Sequence, residues 1–144
     1  MAMKKVDVSM KMGDAFRIDS KIRNHELVAD QSLVGGGKDA GPSPLEYLFF
    51  SLGGCFCTLG RIIANQRRIE LRGMDVRVTG ELDTSTLLGQ STENRAGFQR
   101  IRVIARIDAD MTREEKIEFL REVDKRCPIS DNVEKDTPIT LEVE

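Results

Sequence analysis

Apolar and polar positions alternate near both ends of this chain, and between them the apolar positions fall into helical stripes. Val6, Val8, Met10 and Met12, and then Phe16 to Ile22, have the period of two expected of half-buried strands. Gly13-Asp14 between them predicts a hairpin turn, and Glu26 to Ala29 reads as a third strand. Periodicity then stops over residues 30–42, where Gly35-Gly36-Gly37 and Gly41-Pro42 predict a mobile loop leading into a helix.

That helix has the plainest boundary in the chain. Ser43 reads as its N-cap, Pro44 as its first residue, and Glu46 completes a Ser-x-x-Glu capping box. At about 100° per residue, Leu45, Leu48, Phe49, Leu52, Cys55, Phe56, Leu59, Ile62 and Ile63 share one broad stripe, running to about Arg68. Such a helix is roughly 36 Å long, about the diameter of a globule of this size, so it is expected to run through the middle of the molecule. Its other side is not purely polar: Tyr47, Phe50 and Cys57 sit among Glu46, Gly53, Gly54, Gly60 and Arg61. A helix apolar on two sides needs two covers, and a chain this small with one sheet supplies one. A second copy, in a two-fold homodimer, is the expected source of the other.

Downstream, Met74, Val76 and Val78, and then Ile101, Val103, Ala105 and Ile107, predict two antiparallel strands around a polar loop near Thr84 to Arg95. Thr112-Arg113-Glu114-Glu115 is a second capping box, and Ile117, Leu120 and Val123 give one apolar stripe to a helix ending near Arg126. Pro128 restarts a short helix, and Thr137 to Val143 is expected to close the chain as a strand with Ile139, Leu141 and Val143 alternating. The order β-β-β-α-β-β-α-β predicts an α+β domain with a long central helix and antiparallel sheets. One domain is expected over 1–144: a strand-rich part at 1–30, the helix at 43–68, and a β-β-α-β part at 72–144.

Composition narrows the choice of partners. Across 144 residues, 22 basic and 24 acidic side chains nearly balance, and no basic run exceeds Lys4-Lys5 or Arg67-Arg68. That excludes an electrostatic footprint for nucleic acid or an anionic membrane and favours a small neutral or weakly charged ligand. No stretch approaches the roughly 20 uninterrupted apolar residues of a spanning helix, and the N-terminus reads as a strand rather than an export signal, so a cytoplasmic location is expected. Three cysteines are an odd count, and in a reducing compartment any disulfide is expected to be transient and catalytic. The three cysteines and His25 show no Cys-x2-Cys pair, and Asp39 stands where a phosphate loop ending in Lys38 needs Ser or Thr; neither a metal nor a cofactor is expected. The helix start at Ser43, preceded by glycines and Lys38, still leaves room for an anionic group.

By spacing alone Cys55 is a core cysteine on the main stripe, about three turns past the N-cap and beyond the reach of the helix dipole. Gly53-Gly54 costs the helix roughly 1.5–2 kcal/mol relative to alanines, which predicts close approach by another backbone or a substrate. Cys127, just before Pro128, adjoins the next N-cap, where free N–H groups favour an anion. Cys57 points about 200° away from Cys55 and is expected to pack against the partner copy.

The segment Ser43-Pro44-Leu45-Glu46-Tyr47-Leu48-Phe49-Phe50-Ser51-Leu52-Gly53-Gly54-Cys55, with Arg126-Cys127-Pro128-Ile129-Ser130-Asp131-Asn132-Val133 after it, resembles the two signature regions of the OsmC/Ohr family. The resemblance runs from about Gly35 to the C-terminus, with specific motifs only around the two cysteines. It implies an OsmC-like intertwined homodimer with the long helices central and the sheets outside. It also implies a thiol peroxidase in which Cys55 attacks a hydroperoxide and becomes a sulfenic acid, Cys127 condenses with it into a disulfide, and an external dithiol, often lipoyl-bearing, restores the thiols.

The family's glutamate directly follows its proline, where this chain has Leu45. Glu46 stands one residue later and is the catalytic carboxylate that the resemblance implies here, while its capping box would also account for it without catalysis. The family's assisting arginine comes from the strand-rich N-terminal region, here Arg17 or Arg23, with Arg17 in the clearer strand. A pocket lined by Phe49, Leu52 and Phe56 would favour organic over hydrogen peroxide. The alternative is a non-peroxidatic binding protein of the same fold, with inert thiols and a hydrophobic or acyl-bearing small molecule at the dimer interface.

Overall fold

A computed structural model describes residues 2–144. Its elements are β1 (Met10–Met12), β2 (Ile18–Ile22), β3 (His25–Ala29), α1 (Pro44–Arg67), β4 (Gly73–Glu81), β5 (Arg100–Asp108), α2 (Arg113–Arg126) and α3 (Pro128–Glu134). This is the expected α+β content with antiparallel sheets. The chain forms two compact units, Met1–Leu48 and Phe49–Glu144.

In the first unit the strands lie in the order β1-β2-β3. The pairing Ile22↔His25 leaves Arg23-Asn24 as a two-residue turn, with Arg23 in the left-handed region at φ 55. The expected Val6–Met12 strand is ladder-bonded only from Met10, because β2 offers partners to Met10, Lys11 and Met12 alone. The loop after β3, expected to be mobile, is tied to a buried carboxylate. Asp30 is 2% exposed and accepts the N–H groups of Gln31 (2.7 Å), Ala40 (3.1 Å) and Lys38 (3.2 Å). Its own N–H donates to the Pro42 carbonyl at 3.1 Å, which delivers the chain to the start of α1. There the Ser43 hydroxyl accepts from the Glu46 N–H at 3.3 Å, and a Glu46 carboxylate oxygen accepts from the Ser43 N–H at 2.9 Å, closing the capping box.

In the second unit α1 lies against the β4–β5 hairpin. Its buried positions are Leu52, Gly53, Phe56, Leu59, Gly60, Ile63 and Ala64, a stripe at helical spacing. The core adds Leu71, Ile107, Ala109, Phe119, Val123 and Cys127. Gly53 and Gly60 thus belong to the core face, not to the opposite side where the apolar pattern put them. A Cβ on Gly60 would overlap the Met74 sulfur, and one on Gly53 would press on the Val78 and Val76 methyls. The close approach expected at Gly53-Gly54 therefore comes from β4 side chains at Gly53, while Gly54 faces open space. Glycines add nothing to an apolar stripe, yet they let the sheet close on the helix, so the buried face is rotated towards them and Ile62 is left 40% exposed.

Contrary to the expectation from uninterrupted apolar runs, α1 is by length and composition apolar enough to cross a membrane: 24 residues with a mean hydropathy of 1.5 over its best window, 33% of that window buried. Its stripe packed on β4 is what a core helix presents.

The second capping box is present, with Thr112 and Glu115 exchanging two bonds of 3.2 Å. The expected closing strand Thr137–Val143 does not form. The tail is irregular, with Ile139, Leu141 and Val143 at 83, 91 and 100% exposure. Alternation prepares a strand, but a ladder partner makes one, and this segment pairs with none of the described residues.

Candidate active site

Cys127 sits where two helices meet. It ends α2, its N–H donating to the Asp124 carbonyl at 3.1 Å, and it caps α3, its sulfur accepting the Ser130 N–H at 3.3 Å. Pro128 at the first position of α3 stops α2 from running on. The N-cap position expected for Cys127 is therefore observed, and its burial, at 1% exposure, is greater than a cap position implies.

Cys55 projects from α1 against the core cluster that includes Cys127, close enough for that thiol to influence its titration; both are free. The nearby Cys127 thiol raises the Cys55 pKa. Burial is the larger influence and acts in the same direction. The Ile129 N–H favours the thiolate and opposes both, and the balance pushes the Cys55 pKa up to about 11. None of these influences is a cation. The site at rest holds a protonated Cys55 thiol near Cys127, a placement suited to a disulfide and a protonation state of Cys55 unsuited to nucleophilic attack.

The apolar residues expected around the thiol divide. Leu52 and Phe56 are buried in the core. Phe49 is half-buried and packs on Phe98, ring centroids 4.6 Å apart and planes tilted by 35°. Cys57 is half-buried on a different side of α1.

The other expected site residues lie in the first unit. Glu46 is occupied by the capping box, and its pKa is lowered by the Ser43 N–H and hydroxyl. Arg17 forks onto the Asp19 carboxylate at 3.0–3.2 Å in the wall of a cavity of about 380 Å³ that also meets Phe16, Asp30 and Lys38; Asp19 raises its pKa. Arg23, the other arginine considered, forms the β2–β3 turn. A cavity of about 600 Å³, with Ile69, Met111 and Phe119 under a rim of acidic side chains, is lined by neither Cys55 nor Cys127. No three His, Cys, Asp or Glu side chains among the described residues gather as a metal ion requires.

Two features lie outside the expectations from sequence: the influence of the Ile129 N–H on Cys55, and the Ser130 hydroxyl donating to Asp124 at 2.5 Å. The second left a trace in the sequence, since Asp124 is an acid in the last turn of a helix, where the dipole disfavours one.

Several solved structures share this architecture. An OsmC-like protein from Mycoplasma pneumoniae superposes with a TM-score of 0.78 at 22% identity, over 91% of this chain and 88% of that one. An organic hydroperoxide resistance protein OsmC from Legionella pneumophila gives 0.68 at 18% identity, covering 92% and 91%. The organic hydroperoxide resistance protein OhrB of Bacillus subtilis gives 0.62 at 19%, covering 90% of each. No curated protein matches the chain. The family model described as OsmC-like protein matches residues 35–142, a span that holds α1, both sheet strands of the second unit and the Cys127 corner. With that match covering well over half of its length and holding both cysteines, the chain belongs to the OsmC-like protein family.

Proposed function

We propose that this protein is a thiol peroxidase of the peroxiredoxin type that reduces organic hydroperoxides. The observation that carries the reading is the proximity of Cys55 and Cys127, two free thiols some seventy positions apart in the chain that meet at one edge of the core. In the first step the Cys55 thiolate attacks the hydroperoxide, the O–O bond breaks, and the alcohol leaves with the proton, giving the Cys55 sulfenic acid. Next the Cys127 sulfur attacks the Cys55 sulfur, the S–S bond forms, and the S–O bond breaks to release water. An external dithiol, lipoyl-bearing in this reading, then returns both cysteines to thiols by exchange. Structural neighbours named organic hydroperoxide resistance proteins support the substrate class.

A thiol of pKa about 11 is ionised in about one molecule in ten thousand at neutral pH. The reading therefore requires a cation to reach Cys55, and it assigns that role to Arg17, released from Asp19, with Glu46 as the carboxylate that would orient it. Phe49 is the residue to meet the organic tail, with Leu52 and Phe56 packed behind it.

The reading includes a homodimer. Phe50 at 75% exposure, half-buried Cys57 and the unpaired alternating tail are the surfaces a second copy would cover. An interface of well over 2,000 Å² is expected if the dimer is obligate. In such a cytoplasmic dimer the dithiol pool would supply the reductant.

The high Cys55 pKa favours a second reading, a non-peroxidatic binding protein that holds a hydrophobic or acyl-bearing small molecule at the dimer interface while its thiols stay inert. Treatment of the reduced protein with one equivalent of cumene hydroperoxide, followed by mass mapping, separates the two. A Cys55–Cys127 disulfide that is lost in Cys55→Ser, with sulfenic acid accumulating in Cys127→Ser, supports the peroxidase. Unmodified thiols support the binding protein.

A further inference from the structure

The corner that carries Cys127 is tied by two residues that none of these steps uses. Cys127 is the last cap of one helix and the first cap of the next, so the direction of its sulfur depends on how α3 is set on α2. The side-chain bond that spans this corner runs from the Ser130 hydroxyl to an Asp124 carboxylate oxygen at 2.5 Å, the length of a charge-assisted O–H to O⁻ bond. The backbone N–H of the same Ser130 is the donor to the Cys127 sulfur at 3.3 Å. One residue thus grips the sulfur with its main chain and α2 with its side chain. Asp124 holds its end of the bond where the dipole of α2 disfavours an acid, among Lys125 and Arg126, the cations that position prefers.

We propose that Asp124 and Ser130 are a positioning pair that aims the Cys127 sulfur at Cys55 and so sets how fast, and how far, the disulfide closes. The rate of closure rests on the peroxidase reading; the extent of closure does not. Closing the bond brings the two sulfurs to about 2.05 Å from each other. A corner held still by Asp124 lets the Cys127 side chain make that move while α3 stays in place. With the corner free, the sulfur samples directions away from Cys55, and the effective concentration of one thiol at the other falls.

The test uses the full chain with Asp124→Asn, Ser130→Ala and Ser130→Thr. One arm equilibrates each variant with glutathione buffers and reads the fraction of Cys55–Cys127 disulfide. The other adds one equivalent of cumene hydroperoxide and follows the Cys55 sulfenic acid by dimedone trapping. Asp124→Asn and Ser130→Ala are expected to shift the equilibrium about tenfold towards the dithiol and to prolong the sulfenic acid about tenfold, the scale of one lost charge-assisted bond. Ser130→Thr, which keeps the hydroxyl, is expected to recover both. Removing an acid from the end of α2 should leave the thermal midpoint of Asp124→Asn unchanged or higher, an outcome that a purely structural tie does not give.

Wild-type equilibria in all three variants would overturn the proposal, as would a fall in thermal midpoint that tracks the loss of disulfide. If the parent protein forms no sulfenic acid, the peroxidase reading fails, and the glutathione arm still decides the positioning claim.

Discussion

Cys55, about three turns into α1, lies near Cys127 at the junction of α2 and α3, and the Cys127 thiol adds to the rise in its pKa. Their proximity makes Cys127 part of the environment of Cys55. Cys127→Ala removes the neighbouring thiol and leaves the burial, which is the larger cause of the shift. The Cys55 pKa is therefore expected to fall below about 11 and to stay above its ordinary value near 9, read from thiolate absorbance or from alkylation rate against pH. The same variant loses a buried sulfur and the cap of α3, and a stability loss of about 1–2 kcal/mol is expected in urea.

The raised pKa also has a sign in stability. A thiol that holds its proton more tightly when folded adds stability that is complete below its ordinary value near 9, and that is lost as pH rises towards about 11. Unfolding midpoints should decline over this window in the parent and decline less in Cys55→Ser. Because Cys55 is only half-buried, solvent screening makes the difference smaller than the shift alone implies.

Glu46 has a geometry that explains it without chemistry. Glutamine keeps the carbonyl oxygen that accepts the Ser43 N–H, so Glu46→Gln should keep the capping box, whereas Ser43→Ala should cost about 1 kcal/mol of stability. If the Glu46 charge orients a cation at Cys55, Glu46→Gln should slow peroxide consumption about tenfold or more at unchanged stability. Steady-state turnover with cumene hydroperoxide, measured beside the thermal midpoint, reads both.

The loop between β3 and α1 has an acid-sensitive anchor. The Ala40, Gln31 and Lys38 N–H groups hold the Asp30 pKa below its ordinary 3.8, so this contribution to stability is present above that value and is lost as pH falls through the lower, folded one. Asp30→Asn should weaken the loop at neutral pH and flatten the acid dependence. Gly37→Ala would set a methyl group on the Gln31 carbonyl and should cost about 2 kcal/mol or more, measured as a shift in urea midpoint.

Much of this was legible in the sequence, for local reasons. Ser43 with Glu46, and Thr112 with Glu115, announce helix starts because the capping partners are three residues apart, and both boxes close as read. The β4–β5 pair and the cap position of Cys127 follow from alternation and from Pro128. What failed was non-local. The buried face of α1 turns towards Gly53 and Gly60 because β4 comes close there, which an apolar pattern counts as nothing. Residues 137–143 alternate correctly and still form no strand, since a ladder needs a second strand. Asp124 and Ser130 meet across a helix break, where no periodicity links them.

The central claim is that Cys55 is a nucleophile towards organic hydroperoxides although its resting pKa is high. Its most direct test is the second-order rate constant of the reduced protein with cumene hydroperoxide and with hydrogen peroxide, followed by rapid mixing at neutral pH. The account predicts fast consumption of one equivalent, faster for the organic peroxide, ending in the Cys55–Cys127 disulfide. Thiols that react no faster than free cysteine, with both peroxides alike, would contradict it.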